Sequence, residues 1–218
     1  MRQRLVVMAR WPAPGRCKLR LAASCGSRTQ AAAMQKQLSW HTIRTATVGA
    51  QEAKAEVLLA AAGLGPRALR RWKLQLGDTA APLLLGLQGG GNLGCRMQRQ
   101  LQRGFAAGCE RVVLIGSDLP GLESADLQQA FAQLQESSLV LGPASDGGYW
   151  LIGLDRRGFA HCGASLMSGI PWGSDQVLAT TLERAARAQQ PVGLLRVQSD
   201  LDRVAALRPW LEVARLRR

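Results

Sequence analysis

An apolar run that ends in 114-LIGSDLPGL-122 places a single carboxylate, Asp118, at the tip of an expected buried strand. Proline and glycine follow at once and stiffen the turn. Hard cations such as Mg²⁺ and Mn²⁺ prefer carboxylate oxygens and commonly bridge to substrate phosphates. One carboxylate is too few for such a site, and Asp146, Asp175, Asp200 and Asp202 all fall in or beside loops. In an extended segment, Asp200 and Asp202 project to the same side. Each acid also has a structural role open to it. Asp175 and Asp202 can cap helices, and Asp146 in 144-ASDGGYW-150 can shape an Asp-Gly turn.

Two further loops have the chemistry to meet an anion. In 10-RWPAPGRCKLRL-21, two prolines and a glycine shape the backbone, and Arg16, Lys18 and Arg20 follow. Cationic side chains beside free N–H groups at a helix start form a phosphate cradle. In 88-QGGGNLGCRM-97, Gly89, Gly90 and Gly91 allow close backbone approach to a ligand, and a helix begins near Leu93. The loop lacks the Gly-Lys-Ser/Thr of a Walker A motif. Trp172, in 169-GIPWGSD-175, could wall a sugar or base, although core packing explains a lone tryptophan equally well.

Alternating strand and helix patterns must position these loops. Residues 4–9, 55–61, 111–115, 138–141, 149–154 and 192–197 read as strands. Residues 29–47 and 93–107 read as helices, the second with Leu93, Met97, Leu101 and Phe105 at every fourth position. Ser124 and Ser174 are expected to cap two more helices, and Asp202 a basic C-terminal one. This alternation predicts an α/β fold, a mainly parallel sheet between helical layers, with ligands beyond the carboxyl ends of the strands. At 218 residues, a single domain spanning 1–218 is expected.

Composition narrows the function classes. Hydrophobic residues make up 47% of the chain, which fits a packed globular protein rather than a disordered one. No stretch is long and apolar enough to span a membrane, and the basic N-terminus has too short an apolar run for a signal peptide. A cytoplasmic protein is expected. The five cysteines form no C-x-x-C pair, so reduced thiols are expected rather than disulfides or zinc; His41 and His161 are read as ordinary residues. A net charge of +13 favours anionic partners. The arginines are scattered and lack aromatic interleaving, which disfavours nucleic acid as the partner.

The stretches "PGRCKLRL", "QGGGNLGCRM", "LIGSDLPGL", "GPASDGGYWLIGL", "GIPWGSD" and "SDLD", in this order, resemble a bacterial family of GT-A-like transferases. It is the DUF2064 family, labelled as an arsenosugar-biosynthesis-type glycosyltransferase. The match runs over nearly the whole chain, and the family is similar in fold to the molybdenum-cofactor and phospholactate guanylyltransferases. The resemblance implies a three-layer αβα GT-A fold of Rossmann-like, nucleotide-diphospho-sugar transferase type. It implies that Arg16, Lys18 and Arg20 bind a nucleotide diphosphate and that Gln88, Gly89, Gly90, Gly91, Asn92 and Gly94 line the nucleoside pocket. Asp118 and Asp202 would hold a divalent cation, Mg²⁺ or Mn²⁺, and Asp146, Gly147 and Gly148 would border the acceptor, with Trp172 on that side. The family usually has aspartate at Asn92 and threonine at Arg203. The resulting expectation is a metal-dependent glycosyltransferase that uses a nucleotide-sugar donor and a small acceptor, with Asp146, then Asp175, as candidate acceptor base. A nucleotidyltransferase joining an NTP to a phosphorylated small molecule, and a non-catalytic nucleotide- or nucleic-acid-binding protein, remain alternatives. The sequence leaves the donor, acceptor and oligomeric state open.

Overall fold

The computed structural model describes residues 1–199. Among them the sheet has seven strands in the order β3-β2-β1-β4-β6-β5-β7. They are β1 (Gln3–Arg10), β2 (Ala55–Ala62), β3 (Leu83–Leu87), β4 (Arg111–Ile115), β5 (Leu139–Pro143), β6 (Tyr149–Asp155) and β7 (Val192–Leu194). All pairings are parallel except those of β6, which runs against both β4 and β5. The carboxyl ends of six strands therefore share one edge, where β6 begins.

Period-two burial builds the two faces. In β1, Leu5, Val7 and Ala9 enter one apolar cluster and Val6 enters the other, because successive side chains point to opposite faces. The first face is covered by α2 (Arg28–Glu52), α3 (Pro66–Leu76) and α5 (Ser124–Gln133) through Ile43, Trp72 and Leu127. The second face is covered by α4 (Leu93–Ala106), α6 (Arg156–Met167) and α7 (Val177–Arg187) through Leu101, Leu166 and Ala185. A short helix, α1 (Leu19–Cys25), packs Leu21 against Leu38 of α2. The result is a three-layer αβα architecture around a mainly parallel sheet. Among the described residues, no helix is long and apolar enough to cross a membrane.

Several local expectations are corrected. Helix α5 is capped by Glu123 rather than Ser124, and Asp126 accepts a hydrogen bond from the Glu123 N–H at 2.9 Å. Helix α7 starts at Val177 with Gln176 as its cap, and Ser174 Oγ accepts from the Gln176 N–H one turn earlier. The expected strand 192–197 is paired only as far as Leu194, followed by a single bridge between Ala144 and Gln198. Leu93, expected on the inner side of α4, is 45% exposed. The expected C-terminal helix and its cap Asp202 lie outside the described residues.

Candidate functional site

The loops after β1 and β4 emerge side by side because these strands are neighbours in the sheet. This adjacency joins residues a hundred positions apart: Lys18 Nζ donates to Asp118 Oδ2 at 2.6 Å. The lysine side chain is 4% exposed and the aspartate 32%. Lys18 is also a left-handed, non-glycine residue, with φ 47° and ψ 48°. Such a conformation costs about 1–3 kcal/mol and is retained where the surroundings enforce it, often at functional sites. Behind the pair, Ser117 is buried against Gln35, whose amide also donates to Ser39.

Two cavities border this pair, and a third adjoins one of them. The middle one, about 650 Å³, is lined by Lys18, Asp118, Ser117, Arg16, Gln88 and Arg96, among others. Toward β2 and β3 it runs into a cavity of about 480 Å³ that shares Arg10, Arg16 and Arg96 and is walled by Trp11, Gly63 and Gly89. Trp11 is held edge-on by Trp72, with ring centroids 5.3 Å apart. On the other side lies a cavity of about 300 Å³ bounded by Asp118, Asp146, Gly148, Tyr149, Trp150 and Trp172. Tyr149 and Trp172 meet there edge to face at 6.2 Å. Burial pushes the Tyr149 phenol above its usual range. The trough is thus cationic at one end, aromatic and acidic at the other, with a half-buried ion pair between.

The expected site residues divide by position. Arg16 and Lys18 border the trough, as do Asp118 and Asp146, Gly89, Gly148 and Trp172. Asp146 Oδ1 accepts from Gly148 N–H at 2.9 Å, so the Asp-Gly turn engages one of its oxygens. Gly147 (φ 87°) packs on the Asp175 backbone, where an added Cβ would lie 2.1 Å from Asp175 O. Asp175 is exposed and its carboxylate accepts from Gln176 Nε2. Gln88 borders the middle cavity but is 5% exposed and spends its amide N–H groups on Ala9 O and Ala60 O. Gly90 is exposed, and Gly91 (φ 97°) needs the conformational freedom of glycine.

Two positions of the glycine loop have structural duties that differ from nucleoside contact. Asn92 caps α4, its Oδ1 accepting from Cys95 N–H at 2.9 Å. Asparagine and aspartate cap about equally well, so the departure from the family's aspartate keeps the helix start intact. Gly94 sits against Met167 O and the Trp172 indole; an added Cβ would lie 2.1 Å from that carbonyl. Arg20 falls on α1, but its side chain, like Asp202, lies outside the described part of the molecule.

Sequence reasoning missed Arg10, Arg96, Trp11 and Tyr149 as cavity residues. Arg96 had a legible signal: it follows the cap Asn92 by four residues, on the first turn of a helix aimed at the loop. It also missed the fastening of the distal loops. Arg196 grips Asp126 through two nitrogens, at 2.5 and 2.8 Å, and donates to Gly121 O at 2.8 Å. Gln198 Nε2 donates to the same Asp126 at 3.0 Å, and Ser145 N–H donates to Gln198 O at 2.9 Å. The turn after Asp118, the Asp146 turn and the segment leading to Asp200 are thereby tied together.

No group of three potential metal ligands occurs among the described residues. Asp118 faces an ammonium, and Asp146 is partly committed to its turn. The described donors do not by themselves fit a resident divalent cation.

Comparison with known proteins places this trough in context. Residues 44–174 match the family described as uncharacterized proteins conserved in bacteria (DUF2064). No curated protein matches the chain. A candidate nucleotide-diphospho-sugar transferase from Desulfovibrio desulfuricans G20 is 30% identical over 93% of this chain and 83% of its own, with a TM-score of 0.79. Two more distant structures share the fold. CMP:2-keto-3-deoxy-manno-octonic acid synthetase in complex with CTP has a TM-score of 0.56 at 12% identity, covering 99% of this chain and 100% of that one. Rv0371c from Mycobacterium tuberculosis H37Rv, in complex with manganese, has a TM-score of 0.51 at 18% identity, covering 96% and 97%. The family match and the sequence identity to the D. desulfuricans protein agree: the chain belongs to the DUF2064 family.

Proposed function

We propose that the protein is a transferase acting on a nucleotide-activated donor, a nucleotide sugar, and passing its group to a small acceptor. The observation that carries this reading is the Lys18–Asp118 pair between the cationic middle cavity and the aromatic, acidic one. Transfer from a nucleotide sugar needs those three environments in that order. A nucleoside occupies the cavity of Arg10, Trp11 and Gly89; the diphosphate lies against Arg16 and Lys18; the sugar and acceptor meet beside Asp146 and Trp172. The kinship with the candidate nucleotide-diphospho-sugar transferase supports the same assignment.

In this reading Lys18 neutralises charge that develops on the departing diphosphate, the kind of electrostatic support worth about 3 kcal/mol per contact. Asp118 fixes the lysine and, when a nucleotide arrives as its Mg²⁺ or Mn²⁺ complex, meets the cation carried by that substrate. Asp202, the second expected acid, would join it. Asp146 is the candidate base for the acceptor hydroxyl, since its carboxylate borders the cavity that also holds Asp118, whereas the Asp175 side chain engages Gln176. Gly147 and Gly148 hold the turn that presents Asp146.

The test is product analysis with nucleotide sugars and with NTPs in the presence of Mn²⁺. Release of nucleoside diphosphate from a nucleotide sugar supports glycosyl transfer. Release of pyrophosphate from an NTP, with no nucleoside diphosphate from nucleotide sugars, would replace it with nucleotidyl transfer to a phosphorylated acceptor. No turnover together with salt-sensitive RNA binding would favour a binding protein.

A further inference from the structure

The hydrogen-bonding capacity of the cavity at the ends of β1, β2 and β3 is one-sided. Its charged lining side chains are Arg10, Arg16 and Arg96, and none of its described lining residues is acidic. Several carbonyl groups of its wall and of the adjoining glycine loop already accept hydrogen bonds. Ala61 O accepts from Gln88 N–H and Ala62 O from Trp11 N–H, both at 2.9 Å. Leu87 O accepts from Arg103 at 2.8 Å, Gln88 O from Arg99 at 2.6 Å, and Gly90 O from Arg99 at 3.1 Å. Gly91 O accepts from Arg96 Nε at 2.8 Å, and Arg16 O from Arg10 Nη1 at 3.0 Å. A guanidinium is a fork of five N–H donors with no acceptor, so Arg10 and Arg96 each have further N–H groups after fixing their loops. The charged groups of the wall are all donors, and the carbonyls of Ala61, Ala62, Leu87 and Arg16 are each engaged.

We infer that this cavity selects nucleobases that present a carbonyl oxygen, uracil, thymine and guanine, over those that present an amino group at the same ring position, cytosine and adenine. Arg10 and Arg96 are the reading residues. The inference rests on the nucleotide-binding reading above and adds the base class. A uracil O4 or guanine O6/N7 edge accepts from a guanidinium, and the guanine edge does so bidentately. A cytosine or adenine amino group in that place sets donor against donor and forfeits the hydrogen bond that a carbonyl oxygen would accept. Trp11, held edge-on by Trp72, supplies a flat apolar wall for any base and contributes no discrimination of this kind.

Isothermal titration of the protein with UDP, CDP, GDP, ADP and inorganic pyrophosphate, at fixed salt and excess Mg²⁺, separates the possibilities. The four nucleotides carry the same phosphate charge, so general attraction to a basic surface cancels in each comparison. UDP is expected to bind about tenfold or more tightly than CDP, and GDP likewise relative to ADP. Arg96→Gln, which restores an acceptor, is expected to narrow the UDP-to-CDP ratio to within about threefold. Equal binding within either pair, or preference for the amino base, overturns the inference. If all four bind alike but more tightly than pyrophosphate, nucleotide recognition survives and base selection falls. If pyrophosphate binds as well as UDP, or nothing binds, the nucleotide reading falls with it.

Discussion

Replacing Asp118 with asparagine removes the carboxylate that lies 2.6 Å from Lys18 Nζ, on a side chain only 4% exposed. At 2.6 Å and an effective dielectric of 20, the attraction is about 6 kcal/mol gross, against a desolvation cost of several kcal/mol for the lysine. Breaking a fully buried pair costs about 3–5 kcal/mol, but Asp118 is a third exposed, so roughly 2 kcal/mol is expected. For a chain of this size that corresponds to a fall in Tm of about 4–8 °C. Lys18→Met removes the buried charge and leaves the Asp118 carboxylate, 32% exposed, to water, so it is expected to cost about 1 kcal/mol. The double variant should recover about 1–2 kcal/mol relative to the sum of the single changes, measured by urea unfolding followed through tryptophan fluorescence. A coupling energy below about 0.5 kcal/mol would refute the claim that the pair is built into the fold.

Other consequences concern the site's frame. Gly94→Ala is expected to cost roughly 3 kcal/mol in thermal unfolding, since its Cβ would lie 2.1 Å from Met167 O, a backbone atom that cannot step aside cheaply. Asn92→Asp should leave stability within about 0.5 kcal/mol of wild type, while Asn92→Ala loses about 1 kcal/mol with the cap. Asp126→Asn breaks the charged grip of Arg196 and Gln198, and is expected to cost about 2 kcal/mol in urea and to expose the chain near Ser199 to proteolysis first. Burial would raise the Glu56 carboxyl, but hydrogen bonds from Arg2 and Arg4 outweigh it and hold the group below its usual range. Its contribution is therefore present above the unfolded carboxylate pKa of about 4 and is lost as pH falls through the lower folded value, so the gap between wild type and Glu56→Gln should close in acid titration.

Much of the frame was legible because buried strands declare themselves. The run 111–115 was expected and found as β4, and 4–9 differs from β1 by one residue at each end, since short continuous apolar runs with adjacent valines leave little alternative in a buried parallel sheet. Helix α3 and strand β3 were overlooked, although Pro66 at the helix start and Leu69, Trp72 and Leu76 along one face mark the former. Edge strand β3, LLLGL, lacks alternation and has Leu84 facing solvent, so its pattern is weak. Helix α6 hides behind two glycines, Gly158 and Gly163, which read as breakers but allow close packing against Ser138 and Phe159. Asp118 and Lys18 were each legible as loop chemistry. Their contact was not, because it depends on β1 and β4 being neighbours, a fact of strand order rather than of local sequence. Arg10 and Arg96 were lost among scattered arginines, since total charge does not say which cations share a cavity.

The central claim is that the trough around Lys18 and Asp118 receives a nucleotide diphosphate with its cation. Its most direct measurement is the thermal shift produced by UDP with Mn²⁺ and by GDP with Mn²⁺ in wild type, Lys18→Met and Asp118→Asn, each referenced to its own ligand-free unfolding. At a hundredfold excess over Kd, at least one of the two is expected to stabilise wild type by about 2.7 kcal/mol, with most of that gain lost in both variants. Equal stabilisation in all three proteins, or none in wild type with either nucleotide, would contradict the account.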